Sequence, residues 1–403
     1  MKKNSFKNIG MNIILLGIVS FLNDASSEMI TPILPLFIMS LGGTGVILGL
    51  IGGLRDSISS LLKVICGYWS DKTGKRKIFV FSGYITSAVF KLLLSFSTIW
   101  QHVLLFSGLE RVGKGIRTAP RDAIIADSMP EKRGRGFGIH RALDTAGAII
   151  GSILAFILIW YGALNFNIII LIAACIAFLS FIPLLFVKEI KRKKQDITFK
   201  ISIKTIPKPL KLFLIVSIVF SLSNFSYMFF ISKTQTLFPK EMTIAGPIML
   251  YIVFNIFYAG LAIPFGLLSD KIGRKKVLLI GYLLFSVTMA GFALFSSIPM
   301  FIVLFALYGI VYAIVDGNQR AFVSDLSPEN LRSTSLGIYH TLVGLVALPS
   351  SIIAGLIWDV ISPEMTFVFG MFFSLTASIL LLTLINSRDV LCGMIPKKPH
   401  SSR

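Results

Sequence analysis

The eleven-residue segment Gly67–Lys77 (GYWSDKTGKRK) recurs 199 positions later as Gly266–Lys276 (GLLSDKIGRKK), with six of the eleven positions identical. Each copy lies where a long apolar run ends in a basic turn. A second pair of segments, Arg121–Glu131 and Gln319–Glu329, matches at an offset of 198. Because two separate motifs repeat at nearly the same spacing, the sequence predicts a chain built from two similar halves.

Apolar runs fill nearly the whole chain. The mean hydropathy is +0.82, with 55% hydrophobic and 14% charged residues, which is too apolar for a water-soluble globule of 403 residues. A bilayer core about 30 Å thick needs roughly 20 apolar residues per helix. Runs of that length predict twelve membrane spans, six in each half: Gly10–Met39, Val46–Trp69, Ile78–Ser97, Gln101–Ile125, Gly136–Tyr161, Phe166–Val187, Leu210–Ile231, Ile244–Ser269, Val277–Ser296, Ile298–Val323, Ser335–Trp358 and Met365–Ile385.

The lysines and arginines, which give the chain a net charge of +20, lie almost entirely on one side of these spans. If the N-terminus is cytoplasmic, the basic loops at 72–77, 188–211 and 271–276 are cytoplasmic too, and only Lys233 and Lys240 lie opposite. This is the positive-inside pattern, so we predict a multi-pass protein of the cell membrane with both termini in the cytoplasm. The positive charge then reflects the orientation of the chain in the membrane and does not indicate nucleic-acid binding.

The basic stretch between the sixth and seventh spans divides the chain into its two halves. The first apolar run lacks a small-residue cleavage site, so we expect it to remain as the first span. The three cysteines are scattered without metal-ligand spacing, and no disulfide, metal site or cofactor is expected. We predict an N-terminal six-helix bundle at 1–187, a cytoplasmic linker at 188–209, a C-terminal six-helix bundle at 210–386 and a basic cytoplasmic tail at 387–403.

Both copies of the repeated segment contain Gly-x-x-x-Asp-x-x-Gly followed by two basic residues. With this pattern in two corresponding turns, the chain resembles the major facilitator superfamily along nearly its entire length. The resemblance implies an all-α integral membrane fold of twelve transmembrane helices in two six-helix repeats, and a secondary transporter that works by alternating access about a midplane site. The signature residues are Gly67, Asp71, Gly74, Lys75 and Arg76 in the first copy and Gly266, Asp270, Gly273 and Arg274 in the second.

We interpret the repeated signature as a conformational latch, in which helices pack closely and exchange charged partners as they slide. The alternative is a topology anchor, which explains the basic residues but leaves Asp71 and the two glycines unexplained. The resemblance implies a larger role for Asp71 than for Asp270, because the family usually relies on the first copy.

The first span carries two acidic residues, Asp24 and Glu28, which share a helix face because they are four residues apart. They lie in a break of small and polar residues, Asn23–Glu28. The matching positions in the seventh span are Asn224 and Met228, and a purely structural need for acids should have acted on both halves. Because a charge inside a bilayer is costly unless it is paired or lines water, we predict that the two acids couple transport to protons. A structural ion pair is the alternative.

The fourth span is the most charged and holds Glu110, Arg111, Lys114 and Arg117. Arg111 and Gly115 resemble the family's helix-four motif, an arginine followed four residues later by glycine, which in the family is associated with proton-coupled members. An arginine near mid-span can hold a carboxylate ionised until a proton or a ligand changes the balance. We therefore predict that Arg111 takes part in proton coupling.

The predicted substrate-binding residues come from four spans. Arg55 and Asp56 in the second span point about 100° apart, so only one of them is expected to face the cavity. We interpret Lys63 and Lys91 as snorkelling or packing charges instead, and Arg121 as an arginine that snorkels to the cytoplasmic surface. The predicted set is Asn23, Arg55, Asp56, Glu110, Lys114, Arg117 and Asn224.

Three glycines in the fifth span, Gly138, Gly147 and Gly151, match part of a signature that the family's antiporters share. Ser152 stands where that signature has a proline, and Ala155 where it has a glycine. Small residues at this spacing also serve ordinary close packing of helices. The pattern therefore favours export over import only slightly.

The chain contains no H-E-x-x-H, G-x-S-x-G or Walker sequence, so an enzyme is not predicted. We predict a secondary active transporter that acts as a monomer in the bilayer and exports a small polar or charged organic solute in exchange for protons. The alternative is a proton symporter that imports an organic anion or an anionic metal chelate. The cationic fourth span and Arg55 favour an anionic or zwitterionic solute, since unpaired arginines would be costly around an apolar one.

Overall fold

The computed structural model describes residues 3–129, 133–189, 206–328 and 331–384. Most of the predicted linker and all of the predicted tail at 387–403 lie outside the described residues. The α-helices within them are α1 (Lys3–Ile30), α2 (Leu34–Ser40), α3 (Gly45–Thr73), α4 (Arg76–Leu94), α5 (Trp100–Ser128), α6 (Arg133–Trp160), α7 (Phe166–Leu179), α8 (Phe181–Leu185), α9 (Lys208–Ser223), α10 (Met228–Thr234), α11 (Ala245–Ile272), α12 (Arg274–Leu294), α13 (Ile298–Asp325), α14 (Arg332–Val360) and α15 (Pro363–Leu384).

Eleven helical segments of the described chain are long and apolar enough to cross a bilayer. Three of these spans are each built from two helices in sequence: α1 with α2, α7 with α8, and α9 with α10. Helix α5 has 29 residues, long enough to cross a bilayer, but it is too rich in charged residues to qualify by composition. Counting α5 by its length gives the twelve spans that the sequence predicts, and α5 brings the most charged segment into the middle of the bundle.

The first span of each half is broken, but at different places. Helix α1 continues through the polar segment Asn23–Glu28, and its break comes later, at Thr31–Ile33. Pro32 lies in that turn and cannot donate the amide hydrogen bond of a continuous helix. In the second half, α9 and α10 are separated by Asn224–Tyr227. The two acids of the first span therefore lie on a regular helix, whereas Asn224 lies on irregular backbone.

Glycines allow α6 to approach α1 closely. A Cβ added to Gly147 would lie 2.4 Å from the carbonyl oxygen of Phe21, and one added to Gly151 would lie 2.2 Å from that of Ala25. These contacts set the position of the acidic residues that the two helices carry. The third glycine of the pattern, Gly138, has no neighbouring atom within 4 Å of an added Cβ, so it makes no comparable helix contact.

The two halves meet mainly where α3 packs on α14 and where α6 packs on α11. We call the side of the bundle that carries the N-terminus the terminal face, and the other side the opposite face. At the opposite face, the Asp359 carboxylate of α14 accepts hydrogen bonds from the amides of Gly45 (2.7 Å) and Val46 (2.8 Å), which begin α3. Farther into the bundle, Ser57 Oγ donates a hydrogen bond to the carbonyl of Gly344.

The hydrogen bonds identified between the halves lie at the opposite face or near the middle of the bundle. The halves are therefore tied together at the opposite face, where Asp359 joins α14 to α3. Besides the two contacts above, the bonded pairs are Thr31 with Tyr227, Glu28 with Tyr251, Ser152 with Asn255, and Arg141 with Tyr258.

Candidate functional site

A buried cluster of charges occupies the middle of the first half, centred on Glu110 of α5. Its carboxylate accepts a 2.9 Å hydrogen bond from Ser87 Oγ and lies 3.3 Å from Arg111 Nε and 3.8 Å from Arg55 Nη2. Glu110 and Arg55 are both about 4% exposed, so neither faces open solvent. A buried carboxylate between two guanidinium groups is compensated, and removing one partner would leave an uncompensated charge.

Two other charged groups of the predicted site lie near the cluster without a direct ion pair. Asp56 of α3 is exposed, and Lys114 of α5 is half-buried. The side chains of both lack a hydrogen bond or an ion pair within the described residues, but Asp56 interacts electrostatically with Arg55 and Arg111, and Lys114 with Asp24 and Glu110. Asp56 and Lys114 therefore belong to the electrostatic surroundings of the cluster.

The predicted proton-coupling residue Asp24 has a second carboxyl group near it. The carboxyl groups of Asp24 on α1 and Asp144 on α6 interact electrostatically. Asp144 accepts hydrogen bonds from Ser20 Oγ (2.9 Å) and Arg141 (3.1 Å), and Asn23 approaches Asp24 at 3.4 Å. Two neighbouring carboxylates repel each other, so the charge of Asp144 bears on the charge of Asp24.

Glu28, one turn along α1 from Asp24, contacts the other half of the protein. Its carboxylate accepts a 2.7 Å hydrogen bond from the Tyr251 hydroxyl of α11. Close by, the Tyr227 hydroxyl donates to the carbonyl of Thr31 at 3.1 Å. The charge of the Glu28 carboxyl therefore affects the strength of a hydrogen bond between the halves.

Three basic residues are buried in the first half. Of the two interpretations of Lys91, the structure agrees with a packing charge, because Lys91 is 1% exposed and donates 2.9 Å hydrogen bonds to the hydroxyls of Ser26 and Ser27. Arg121 does not extend to the surface, since it pairs with Asp122 and donates to Ser20 at 3.0 Å. Arg117, predicted to bind substrate, is 2% exposed and lies over the ring of Tyr84, 4.5 Å from its centroid. The three side chains are therefore packed inside the protein around the charged cluster.

The second half contributes an aromatic wall and few charges. A cavity of about 150 Å³ lies between α9, α12, α13 and α14, with Asn224 and Tyr312 on its surface. The hydroxyl of Tyr312 donates to Asn224 Oδ1 at 3.0 Å. Asn224 was the only residue of this half predicted to bind substrate, so the sequence analysis missed most of the lining.

A chain of polar contacts crosses the middle of the bundle from α6 to α13. Arg141 donates to the Tyr258 hydroxyl at 2.8 Å, and this hydroxyl donates to Asp316 at 3.0 Å. Asp316 in turn pairs with Arg320 at 2.6 Å. Asp144 and Arg141 were missed by the sequence analysis, although both are charges inside the predicted fifth span, which is the signal that identified Asp24.

The two loop signatures form matching ion-pair clusters, each within its own half. Arg76 lies 2.6 Å from Asp71 and 2.5 Å from Asp127. Arg274 repeats this arrangement, at 2.9 Å from Asp270 and 2.5 Å from Asp325. The second glycine of each signature, Gly74 with φ 70° and Gly273 with φ 95°, adopts a backbone conformation that other residues disfavour. Of the remaining signature residues, Gly67 would bring a Cβ 3.1 Å from Ala119, Gly266 faces open space and Lys75 is exposed.

Comparisons with known proteins agree with this architecture. The chain is 56% identical over 380 residues to the uncharacterized MFS-type transporter MJ1317 of Methanocaldococcus jannaschii, covering 93% of this chain and 95% of that protein. It is 31% identical over 186 residues to the multidrug resistance protein MdtG of Enterobacter lignolyticus, covering 44% and 43% of the two chains. The crystal structure of the nucleoside transporter NupG superimposes with a TM-score of 0.78 at 14% identity, covering 93% of this chain and 99% of that one, which is a likeness of fold.

A family model described as Major Facilitator Superfamily matches residues 16–249 and 242–399. Together with the twelve spans, this match confirms the family and the fold that the paired loop signatures predict. The chain belongs to the Major Facilitator Superfamily and is a multi-pass membrane transporter, not an enzyme.

Proposed function

We propose that this transporter acts as a monomer and exports a small polar or charged organic solute in exchange for protons. The observation that carries the proposal is the hydrogen bond between Glu28 and Tyr251, which joins the two halves. A proton on Glu28 would remove the charge from this bond, and charge-assisted hydrogen bonds are roughly twice as strong as neutral ones. Protonation therefore weakens a contact that has to break when the opposite face opens. A proton shifts a two-state equilibrium only if it binds the two states differently, and this contact supplies the difference.

The Asp24–Asp144 pair supports a second proton-binding position on the same helix. Arg121 and Arg141 lie near it and stabilise its negative charge. Lys114 also interacts with Asp24, so a solute that binds Lys114 changes the electrostatic environment of the pair. Proton and solute would thus influence each other's binding without touching.

The direction of transport is proposed from two features. The glycines Gly147 and Gly151, which hold α6 against α1, belong to the partial antiporter signature, and the relative MdtG is named a multidrug resistance protein. With the terminal face in the cytoplasm, as the basic loops predict, the hydrogen bonds of Asp359 would hold the halves together on the outer side, which suits a state that loads solute from the cell.

A second candidate is proton-coupled import of an organic anion or an anionic metal chelate. The observation that favours it is the charge around Lys114, where the three cations Lys114, Arg111 and Arg117 outnumber the two carboxylates Asp24 and Glu110. An anionic solute would compensate this charge in either direction of transport, so the charge alone does not set the direction.

The sign of the proton gradient separates the two candidates. Purified protein in proteoliposomes would be given a panel of radiolabelled amino acids, carboxylates and nucleosides, with either the lumen or the exterior made acidic. Antiport predicts accumulation when the lumen is acidic, and symport predicts accumulation when the exterior is acidic. Accumulation that ignores both gradients would contradict proton coupling.

The two acids of α1 are then tested in the same vesicles. Asp24→Asn and Glu28→Gln keep the shape of each side chain but cannot release a proton. We expect each to lose gradient-driven accumulation while solute binding persists. If both variants accumulate solute at the wild-type level, the assignment of these residues is wrong.

A further inference from the structure

A small polar cavity lies inside the first half, between α1, α3, α4 and α5. Its volume is about 10 Å³, close to what one water-sized particle needs. Its wall carries three charged groups and two hydroxyl groups, which belong to Ser27, Arg55, Lys91, Ser107 and Glu110. The cavity therefore has room for one small ligand in polar surroundings.

Several hydrogen-bond donors on this wall lack acceptors within the described part of the chain. Arg55 Nη1 and Ser107 Oγ are buried and have no hydrogen-bond partner. A buried serine in a helix can donate to the carbonyl four residues before it, as Ser128 does at 2.8 Å, but Ser107 does not. The Ser27 hydroxyl accepts a 2.9 Å hydrogen bond from Lys91 and donates none to a described residue. Because a buried donor without an acceptor loses its hydration and gains nothing in return, these groups require an acceptor in the cavity.

Among the described residues, a single carboxylate lines the cavity, and both of its oxygens are already engaged. Glu110 Oε1 accepts the 2.9 Å hydrogen bond from Ser87. Glu110 Oε2 lies 3.3 Å from Arg111 Nε and 3.8 Å from Arg55 Nη2. Glu110 is therefore shared between two guanidinium groups, and it does not satisfy the free donors of the wall.

Lys91 brings a second cation to the wall without a carboxylate in direct contact. Its ammonium group is 1% exposed and donates to the neutral hydroxyls of Ser26 and Ser27, each at 2.9 Å. No ion pair of the described chain includes Lys91, so Glu110 and Asp24 act on it from more than 4.0 Å away. With the guanidinium of Arg55, two cations and one carboxylate line the cavity, which leaves an excess of one positive charge.

We propose that this cavity binds a single halide ion, such as chloride, held by Arg55, Ser107 and Ser27. A halide accepts hydrogen bonds from every side and donates none, which suits a wall whose free polar atoms are donors. Its charge balances the excess on the wall, and a charge away from bulk water is stable only when it is paired or hydrogen-bonded. A water molecule fills the same volume but leaves the positive charge uncompensated. The ion lies within the first half alone, so its binding requires neither a transported solute nor a proton gradient.

Halide binding is measured on the purified transporter in detergent, without a solute. Chloride is titrated against gluconate at constant ionic strength, and the line width of the chlorine NMR signal reports binding. Bromide, which has the same charge and is also a single atom, should displace chloride and narrow the line. Acetate carries the same charge on a larger group and should not displace it. Thermal unfolding gives a second measurement, because the unfolding equilibrium constant should be about tenfold lower in chloride at about ten times its Kd than in gluconate.

Two variants assign the ion to this cavity. Ser107→Ala removes one donor and keeps every charge, so we expect the chloride affinity to fall about tenfold to a hundredfold, as the loss of a hydrogen bond to a charged group predicts. Lys91→Gln removes the excess charge and should abolish chloride binding.

Ser97→Ala is the matched control for Ser107→Ala. Ser97 is 1% exposed and its hydroxyl also lacks a hydrogen-bond partner among the described residues, but it follows α4 and does not line the cavity. Both substitutions remove one unpaired buried hydroxyl, and only the first should weaken chloride binding.

The wild-type protein decides the matter even if a variant does not fold. A chlorine line width and a melting temperature that are the same in chloride and in gluconate would overturn the proposal, and so would displacement of chloride by acetate as readily as by bromide. A chloride affinity that Ser107→Ala leaves unchanged would place the ion elsewhere and contradict the assignment. Proton-driven flux is measured separately in vesicles, so a failure of the proposed transport function would leave these binding results intact.

Discussion

Replacing Asp359 with alanine should open the opposite face of the transporter. Asp359 belongs to the second half, yet its two carboxylate oxygens accept the amide hydrogens of Gly45 and Val46 at the start of α3 in the first half. Thr44, which precedes α3, forms no side-chain hydrogen bond to these amides. The beginning of α3 is therefore capped by a carboxylate from the other half, and this cap exists only while the opposite face is closed.

The size of the effect follows from the energetics of helix capping. Replacing a capping side chain with alanine costs about 0.5–2 kcal/mol, and a carboxylate at a helix N-terminus gains about 0.3–1 kcal/mol from the helix dipole. Asp359 is exposed, so solvent screens part of the charge effect. We therefore expect Asp359→Ala to weaken the closed state by about 1–2 kcal/mol, which changes the ratio of closed to open molecules about 5- to 30-fold.

Distances between spin labels would measure this shift. One label replaces Met39 at the end of α2, and the other replaces Lys240 just before α11, so that the pair spans the two halves at the opposite face. Both positions are exposed, and the native cysteines Cys66, Cys175 and Cys392 are replaced first. In double electron–electron resonance, the fraction of long distances between the two labels should rise in Asp359→Ala. It should rise less in Asp359→Asn, which keeps one acceptor oxygen.

The ion pair of Glu364 with Lys233 provides the matched control. It lies at the same face, but both residues belong to the second half, so Glu364→Gln should leave the distances unchanged. If Asp359→Ala gives the same distance distribution as the wild type, the cap does not hold the opposite face shut. The same conclusion follows if Glu364→Gln shifts the distribution equally.

Three further predictions concern the charged cluster, the loop signature and the helix contacts. Arg111→Lys keeps the charge but loses the planar fork, so we expect the transport rate to fall about tenfold or more, whereas full activity in Arg111→Ala would contradict its role. Asp71→Asn should slow solute exchange in vesicles while leaving the binding affinity nearly unchanged, and Asp270→Asn should do so more mildly; unaltered exchange in the Asp71 variant would favour the topology anchor. Gly151→Ala should lower stability by about 1–3 kcal/mol in thermal unfolding, because its Cβ would lie 2.2 Å from a carbonyl oxygen, whereas Gly138→Ala has open space and should unfold like the wild type.

The spans could be predicted closely from the sequence, because the length and apolarity of a membrane helix are set by the bilayer and not by its partners. The second span was predicted at Val46–Trp69 and forms a helix at Gly45–Thr73. The backbone break in the first span was harder to place. The small polar residues at Asn23–Glu28 remain helical, since a helix satisfies the hydrogen bonds of their backbone groups. The helix is interrupted instead at Thr31–Ile33, around Pro32.

The charged site was less predictable, because the sequence gives the spacing of charges along one helix but not the partner each one meets on another. Arg55 and Asp56 are adjacent, yet only the packing of α3 shows that Arg55 is buried against Glu110 while Asp56 is exposed. Arg121 has the sequence position of a surface residue, but Ser20 on a different helix holds it inside. Asp359 follows the last apolar residues of its predicted span, and nothing in the sequence relates it to α3.

The contact between Ser57 and Gly344 has a mechanical consequence for how far the two halves must turn. It lies near the middle of α3, twelve residues from Gly45, which is a lever of about 18 Å at 1.5 Å per residue. If the halves pivot there, a rotation of about 15°, as in other rigid-body transitions, would carry the start of α3 about 5 Å from Asp359. A displacement of that size breaks both amide hydrogen bonds, while the helices at the pivot slide by only a fraction of it. The protein can therefore open to the other side by breaking a few hydrogen bonds at the ends of its helices. The close packing of the helices at the pivot is kept throughout.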